Sequence, residues 1–287
     1  MDGRAATKIP AALVATLLCL ASGCATQPGA TARTGTTPET SAALTRILAS
    51  SHRSAANRAR DPYRHPQQTL EFFGIRPELT VVEVWPGAGW YTEILAPLLR
   101  ERGQLYASHL DPASSDYARS TVDGFRAKLA ERPDLYDKVI VTTLAAPPAA
   151  NAIAPPGSAD MVLTFRNLHN WMMFGWQREA LQAMHTALKP GGVLGVVEHS
   201  GKPGVPQDPK AASGYVDEDY AIKLIESVGF RLVARSEINA NPRDTKDYEQ
   251  GVWTLPPSFA AGDADRARYA AIGESDRFTL KFVKVGT

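Results

Sequence analysis

The stretch that decides the fold spans residues 81–93 and reads VVEVWPGAGWYTE. The β-rich residues at its start predict a strand over 80–84, and a helical pattern follows the two glycines, Gly87 and Gly89. Glycines at a turn from strand to helix let the backbone approach a ligand, and the amino end of the helix favours a negative group. Glu83, near the strand end, is an acidic group suited to a donor such as an amino group. The turn is therefore the first place to look for a binding site.

Strand-like and helix-like segments alternate along the rest of the chain. Further strands are predicted over 105–108, 138–142, 160–164, 193–198, 230–237 and 278–283, and helices over 41–60, 67–73, 91–100, 115–130, 177–188, 217–228 and about 263–272. Apolar strands separated by helices are typical of an α/β protein with a parallel sheet covered on both faces. Ligands of such sheets bind beyond the carboxyl ends of the strands. We therefore expect the chemistry at that edge.

Composition narrows the class of protein. The 287 residues include 44% hydrophobic and 21% charged residues, which indicates a globular chain. Its 31 Lys and Arg against 30 Asp and Glu give no basic excess for nucleic acid, so no nucleic-acid partner is expected. Both cysteines, Cys19 and Cys24, fall in the first 24 residues, which excludes disulfides and cysteine-based metal sites from the body. The six histidines form no metal-binding motif, and no metal is predicted.

The first residues have the pattern of an export signal. Arg4 and Lys8 precede an apolar run over 9–21 that is shorter than the roughly 20 residues of a membrane-spanning helix. Small residues lie directly before Cys24 and resemble the cleavage box of bacterial lipoproteins, which implies lipidation of Cys24. Ordinary cleavage after Ala25 is the alternative. We expect a periplasmic protein attached to the membrane through a lipid on Cys24.

The domain organisation follows from these segments. Residues 1–23 are predicted to be the signal peptide, and removing them leaves 29 basic and 29 acidic residues. Residues 24–40, rich in Thr, Gly and Pro, are predicted to be a flexible linker. Residues 41–287 form a single domain with an N-terminal helical extension over 41–78. The long connection over 239–275 separates the last two strands and is either a substrate-side cover or a stabilising flap.

Several motifs together resemble a known family. They are RDPYRHP at 60–66, EVWPGAGWYTEIL at 83–95, RNLHNW at 166–171, LKPGGVL at 188–194 and DRF at 276–278. The glycine turn and the order of elements resemble the class I S-adenosylmethionine-dependent methyltransferases. More narrowly, the set resembles a family of exported bacterial proteins, the predicted methyltransferases. The resemblance covers about residues 70–285 and implies a Rossmann-like fold with seven mostly parallel strands and helices on both faces.

The resemblance implies a cofactor site for S-adenosyl-L-methionine. Its expected contacts are Glu83, Gly87, Gly89, Asp111 and Asn167. The chain departs from the class at three places. Trp85 replaces the first glycine, His109 replaces the acid that binds the ribose hydroxyls, and Thr142-Thr143 stands where the class often has an acid near the adenine. Asp111, two residues on, is the nearest acidic substitute.

Candidate catalytic residues follow the fourth and fifth predicted strands. His169 and His199 are suited to act as bases, although His169 can also serve only to hold its loop in place. Arg166 can hold a substrate anion or the cofactor carboxylate, and Tyr91 can line the pocket. The charged residues of 60–65 are expected to form a salt-bridged brace.

Two functions compete on the sequence alone. The first is a methyltransferase that acts on a small molecule outside the cytoplasmic membrane. The alternative is an exported, non-catalytic binding protein that keeps the methyltransferase fold, favoured by Trp85, His109 and Thr143. S-adenosylmethionine is a cytoplasmic metabolite, so export and methyl transfer are in tension. No pattern indicates the oligomeric state.

Overall fold

The computed structural model describes residues 1–3, 35–149 and 151–286. The backbone divides into two units, Met1–Arg33 and Thr34–Thr287, and every helix and strand given below belongs to the second. Residues 4–34, which include Cys24 and most of the predicted signal peptide and linker, lie outside the described residues. Within those described ranges, no helix combines the length and the apolar character needed to cross a membrane.

Strands and helices alternate as the sequence predicts. The strands are β1 (Thr80–Val84), β2 (Gln104–His109), β3 (Ile140–Thr143), β4 (Ala159–Phe165), β5 (Leu188–His199), β6 (Phe230–Ser236) and β7 (Arg277–Lys284). The helices are α1 (Pro38–Ala49), α2 (Ala55–Arg58), α3 (Asp61–Arg64), α4 (Pro66–Phe73), α5 (Thr92–Leu99), α6 (Asp116–Glu131), α7 (Pro133–Tyr136), α8 (Leu168–Phe174), α9 (Gln177–Ala187), α10 (Glu218–Glu226) and α11 (Arg266–Ile272).

One sheet organises the described part of the domain. Its seven strands have the order β3-β2-β1-β4-β5-β7-β6, and β7 is antiparallel to both of its neighbours while the other pairs are parallel. The predicted seven-stranded, mostly parallel sheet is therefore confirmed. The strand order reverses at β1, between β2 and β4, which is where ligands bind in open α/β sheets.

Alternation along β1 divides the apolar residues between two cores. Val81 packs in the core that includes Phe73 and Leu95, whereas Val82 packs in the core that includes Trp171 and Leu181. Successive side chains of a strand point to opposite faces, so a strand covered on both faces must be apolar throughout. Glu83 is the buried charged residue of β1, and it is 2% exposed.

The N-terminal helices differ from the predicted single helix over 41–60. Helix α1 begins at Pro38, three residues inside the predicted linker, because the Thr37 Oγ1 atom accepts a hydrogen bond of 3.2 Å from the Thr40 backbone. Proline at the first helical position is already in the helical φ range. The chain leaves the helix at Ser50 and starts α2 with Ser54 as its N-cap.

The polar segment after β4 also differs from the sequence interpretation, which treated it as a loop. Residues 168–174 form helix α8, which ends at Gly175 in the left-handed conformation. Leu168, Trp171 and Met172 are buried at helical spacing. The intervening polar residues, His169 and Asn170, concealed that short apolar face.

Gly195 in the middle of β5 lets α4 pack closely on the sheet. A Cβ atom at this position would lie 2.7 Å from the Leu163 Cδ2 atom and 2.9 Å from the Phe73 ring. We expect Gly195→Val to lower the free energy of unfolding by about 1–3 kcal/mol, because the core cannot accept the added volume. Urea denaturation followed by circular dichroism measures this change.

The matched control is Gly124→Ala in α6, where an added Cβ meets no atom within 4 Å. This change should raise the free energy of unfolding by about 0.5–1 kcal/mol, since alanine favours the helix. Equal stability of the two variants would contradict the packing described here.

Candidate active site

The turn after β1 presents glycine backbone at the carboxyl edge of the sheet. Trp85 has a positive φ of 48°, and its backbone N–H donates to the Ser108 carbonyl at 2.7 Å, which joins the ends of β1 and β2. Gly87 and Gly89 also have positive φ, 58° and 79°. A Cβ atom at Gly87 would meet nothing within 4 Å, whereas one at Gly89 would lie 3.1 Å from the Phe125 ring. Gly87 is therefore open to a ligand and Gly89 is packed against α6.

A cleft of about 250 Å³ opens over this turn, at the carboxyl ends of β1 and β4. It is lined by Asn57, Arg60, Arg64, Trp85, Pro86, Gly87, Ala88, Trp90, Phe165, Arg166 and Asn167. Of the residues singled out in the sequence, this list brings together Gly87, Arg166 and Asn167. The other candidate residues lie behind the wall of the cleft or beside it.

Asn167 ties the ends of two central strands together. Its Nδ2 atom donates to the Val84 carbonyl at 2.9 Å and to the Thr164 Oγ1 atom at 3.2 Å. The side-chain amide hydrogens are therefore used within the protein. Asn167 shapes the floor of the cleft by fixing β1 against β4.

Glu83 is buried beneath the glycine turn and does not line the cleft. Its Oε2 atom accepts a hydrogen bond of 2.6 Å from the Thr92 hydroxyl. Burial raises the pKa of Glu83 to about 7, and the Thr92 hydroxyl and Lys128 offset only part of that effect. The carboxyl group predicted to hold a cofactor amine is thus paired with the first residue of α5.

His109 closes the side of the turn on which the ribose acid was expected. Its Nδ1 atom accepts a hydrogen bond of 2.7 Å from the Leu110 backbone, so the Nε2 atom carries the proton and donates to the Gly87 carbonyl at 3.0 Å. Burial lowers the pKa of His109, which keeps the ring neutral. Asp111 accepts a hydrogen bond from the Ala113 backbone at 2.9 Å and caps its own turn. Neither side chain lines the cleft.

Trp85 fills the neighbouring space toward β3. Its indole N–H donates to the Leu144 carbonyl at 3.0 Å, and its ring centroid lies 5.6 Å from those of Trp171 and Trp176. The donor and acceptor set therefore fits a nucleoside cofactor in part: the backbone at Gly87 is open, but the ribose side is occupied by protein groups.

Of the two aromatic residues that precede α5, Tyr91 does not line the pocket as predicted, whereas Trp90 does. Tyr91 is 5% exposed and stacks on Phe165 with centroids 3.6 Å apart, so it lies inside the core rather than along the pocket. Burial raises the pKa of Tyr91 to about 12, which keeps its hydroxyl protonated. Trp90 lines the cleft instead, with its indole N–H donating to the Asn57 carbonyl at 3.1 Å.

His169 and His199 meet in a buried group beside the cleft. The His169 Nδ1 atom donates to the Glu198 Oε1 atom at 3.0 Å, which leaves its Nε2 lone pair free to accept a proton. The His199 Nδ1 atom lies 2.5 Å from the Ser275 hydroxyl, and the two rings are 5.3 Å apart. Burial lowers the pKa of His199 well below its ordinary value, and His169 and Arg277 lower it further. The ring stays neutral at pH 7.

Atoms of His169, Glu198 and His199 lie within 4.8 Å of one another, a spacing that could hold a metal ion. The sequence showed no such motif because the three residues come from α8 and the end of β5. The positive charge of Arg277 and Arg166, which lowers the pKa of His199, opposes a cation at this position. The group is better suited to proton transfer.

The predicted brace is present and extends to the end of the long connection. The Arg60 and Arg64 Nε atoms lie 2.6 and 3.1 Å from oxygens of Glu274, while Asp61 pairs with Arg53 at 2.7 Å. Sequence reasoning missed Glu274 and the exposure of Arg60 and Arg64 to the cleft. The motif at 60–66 was the available signal, but its partner lies more than 200 residues away.

The connection between β6 and β7 covers the buried histidines. The rings of Trp253 and His169 lie 6.0 Å apart, and the Tyr215 hydroxyl donates to Asp244 at 2.9 Å. Asn239 donates to the Thr69 hydroxyl at 3.0 Å. These contacts fit a stabilising flap that also closes one side of the site.

The state of Glu83 gives a pH-dependent stability. The ordinary pKa of 4.5 applies to the unfolded chain, while the folded protein keeps the proton to about pH 7, so stability falls as the pH rises through this window. We expect Glu83→Gln to raise the free energy of unfolding at pH 8 by up to about 3 kcal/mol and to have no such effect at pH 4. Chemical denaturation at the two pH values measures it. The exposed control Glu249→Gln should change neither value, and a Glu83→Gln variant less stable than wild type at pH 8 would contradict this assignment.

Comparisons with known proteins support the fold alone. No protein-family model matches the chain, and no curated protein matches it. Among solved structures, a SAM-dependent methyltransferase from Aquifex aeolicus is similar with a TM-score of 0.54 and 17% identity, over 79% of this chain and 93% of that one. The [4+2]-cyclase SpnF has the same TM-score and identity, over 83% of this chain and 86% of that one.

A third similar structure is a putative sarcosine dimethylglycine methyltransferase from Galdieria sulphuraria, with a TM-score of 0.50 and 12% identity. It covers 82% of this chain and 88% of that chain. At such identities the likeness concerns the backbone, and one fold can carry several chemistries. The chain has the Rossmann-like fold of class I methyltransferases.

Proposed function

We propose that the protein is an S-adenosylmethionine-dependent methyltransferase that acts on a small molecule. The observation that carries the proposal is the open backbone of Gly87 at the carboxyl ends of β1 and β4, where an added Cβ would meet no atom within 4 Å. Methyltransferases among the similar structures support it. The cleft of about 250 Å³ suits a small acceptor rather than a macromolecule.

When bound, the cofactor would supply an electrophilic sulfonium methyl group. Gly87 and the backbone beside it would hold the cofactor, with Asn167 fixing the floor of the cleft through its bond to Val84. The contribution of the protein is then mainly orientation and exclusion of water. Trp90 and Phe165 provide the apolar wall that such exclusion requires.

A base is required only if the acceptor begins protonated. The neutral imidazole of His199, with its low pKa, and the free Nε2 atom of His169 are the nearest candidates. Because neither lines the cleft, only an acceptor that extends beyond the cleft lining could transfer a proton to them. Glu198 would stabilise the imidazolium of His169.

A specific pair of hydrogen bonds favours the second candidate, a binding protein without methyl transfer. His109, which replaces the ribose-binding acid, bonds to the Gly87 carbonyl, and Trp85, which replaces the first glycine, bonds to the Leu144 carbonyl. Hydrogen bonds of this kind are expected in a protein that has kept the fold but binds another ligand.

Calorimetric titration of the folded domain with S-adenosylmethionine and S-adenosylhomocysteine separates the two functions. We expect saturable binding at millimolar ligand or below, and its loss in Gly87→Val, because the branched side chain would fill the open face of the turn. The matched control is Gly157→Val, a glycine with a similar positive φ of 64° and equally open surroundings, located before β4. It should bind like wild type. Absence of binding by the wild type would overturn the methyltransferase proposal.

We also propose that the protein is exported and held at the membrane by a lipid on Cys24. The support is the basic start, the short apolar run and the small residues before this cysteine. A methyltransferase at that location would have to receive its cofactor from outside the cytoplasm. The binding-protein alternative has no such requirement.

Fractionation of bacterial cells that express the full chain tests the lipid. Wild type should sediment with membranes and be released by detergent, whereas Cys24→Ser should lose this association. Cys19→Ser is the control, since Cys19 lies in the segment predicted to be removed, and it should behave as wild type. Recovery of wild type and Cys24→Ser in the same soluble fraction would contradict the lipid attachment.

A further inference from the structure

Four arginines gather around one carboxylate at the inner end of the cleft; we call Arg60, Arg64, Arg166 and Arg277 the arginine cluster. Glu274 pairs with three of them: its Oε1 atom lies 2.6 Å from Arg60 Nε, its Oε2 atom 3.1 Å from Arg64 Nε, and Arg277 donates to the same Oε2. Burial alone would raise the pKa of Glu274, but Arg277 and Arg64 outweigh it and hold the pKa well below its ordinary range. A single carboxylate therefore forms ion pairs with three guanidinium groups.

Arg166 is the member without a partner. Its backbone N–H donates to the Val197 carbonyl, but its guanidinium makes no hydrogen bond or ion pair with any residue that the structure describes. This side chain lines the cleft beside Arg60 and Arg64. Burial lowers the pKa of Arg166 to about 10, and the positive charge of Arg277 contributes to the change. The group is thus repelled by its neighbours and faces the cleft.

The adjacent acids are already neutralised by other cations. Asp61 lies 2.7 Å from Arg53, and Glu93 lies 3.7 Å from Arg53 and 2.6 Å from Lys128. This neighbouring group has two positive and two negative charges and offers nothing to the arginine cluster. Four guanidinium groups and one carboxylate give the cluster a formal charge of +3. The next buried acid, Glu198, is not paired with these arginines and accepts hydrogen bonds from the His169 ring and the His199 backbone instead.

An excess of charge in a poorly solvated place is unfavourable unless a counter-ion enters. The guanidinium group matches phosphate and carboxylate, to which it donates two parallel hydrogen bonds. The amino-acid end of S-adenosylmethionine carries a carboxylate and an ammonium group, so it is neutral as a unit and cannot balance the cluster. A ligand with more than one negative charge would balance the cluster more completely.

We propose that the cleft binds a small molecule bearing a doubly charged oxyanion, a phosphate group or a pair of carboxylates, through Arg166 with Arg60 and Arg64 beside it. If methyl transfer is correct, this anion belongs to the methyl acceptor. The inference does not depend on methyl transfer, because anion binding is measurable with no cofactor present. A failure of one proposal therefore leaves the other intact.

The test is calorimetry of the full domain at low ionic strength with inorganic phosphate, succinate, acetate and chloride. We expect saturable binding of phosphate or succinate, at least about tenfold tighter than acetate, and little heat with chloride. Phosphate stronger than succinate identifies a phosphate ligand, and the reverse identifies a dicarboxylate. Arg166→Gln should weaken that binding by about tenfold or more. Arg231→Gln, which removes one exposed positive charge on β6, should bind like wild type.

Thermal unfolding without anions shows whether a loss of anion binding in a variant comes from a folding defect. Arg166→Gln should have a melting temperature equal to or above that of wild type, because it removes an unpaired charge. Arg53→Gln, which removes a fully buried and paired arginine, should melt lower. The proposal is overturned if neither dianion binds, if Arg166→Gln binds them like wild type, or if Arg166→Gln loses as much stability as Arg53→Gln.

Discussion

The ion pairs of the Glu274 carboxylate hold together the part of the domain that forms the cleft. Glu274 lies at the end of the connection that precedes β7, and it holds arginines from the helical extension and from β7 itself. Without this charge, three guanidinium groups would repel one another where the cleft is formed. One acid offsets only part of the free energy that burying these cations costs. The remaining positive charge faces the cleft. The shape of the wall and its electrostatic character therefore have the same cause.

The glycine turn shows how one sequence pattern can support two functions. Its backbone geometry at Gly87 is that of a ligand-binding turn, open and with positive φ. The side chains around it do something else, because His109 and Trp85 hydrogen-bond to carbonyls of the protein. Backbone form is set by the strand-turn-helix connection, whereas side-chain chemistry is free to change within it. The turn therefore keeps the backbone form of a binding site, while the side chains around it bond within the protein.

The sheet was accessible from the sequence because its signals are local. Apolar runs and helical spacing place β1 and α9, and the alternation of strands and helices predicts the mostly parallel sheet that is confirmed. The site was accessible only in part. Gly87, Arg166 and Asn167 follow strands directly and were identified, but Glu274 meets Arg60 across more than 200 residues of chain. Two residues so far apart in the chain form no periodic pattern in the sequence. Helix α8 was missed because polar residues interrupt its short apolar face.

The placement of the tryptophans has an optical consequence. The sequence contains five, and all of them lie at or beside the cleft: Trp85 and Trp90 line it, Trp171 and Trp176 pack on Trp85, and Trp253 contacts His169. Tryptophan emission from this protein is therefore a local signal, because the outer helices α6 and α10 contain no tryptophan. Neighbouring indoles 5.6 Å apart also exchange excitation, so a small displacement of Trp85 would alter the spectrum of three residues together. Tryptophan fluorescence can therefore report a change at the glycine turn without an added label.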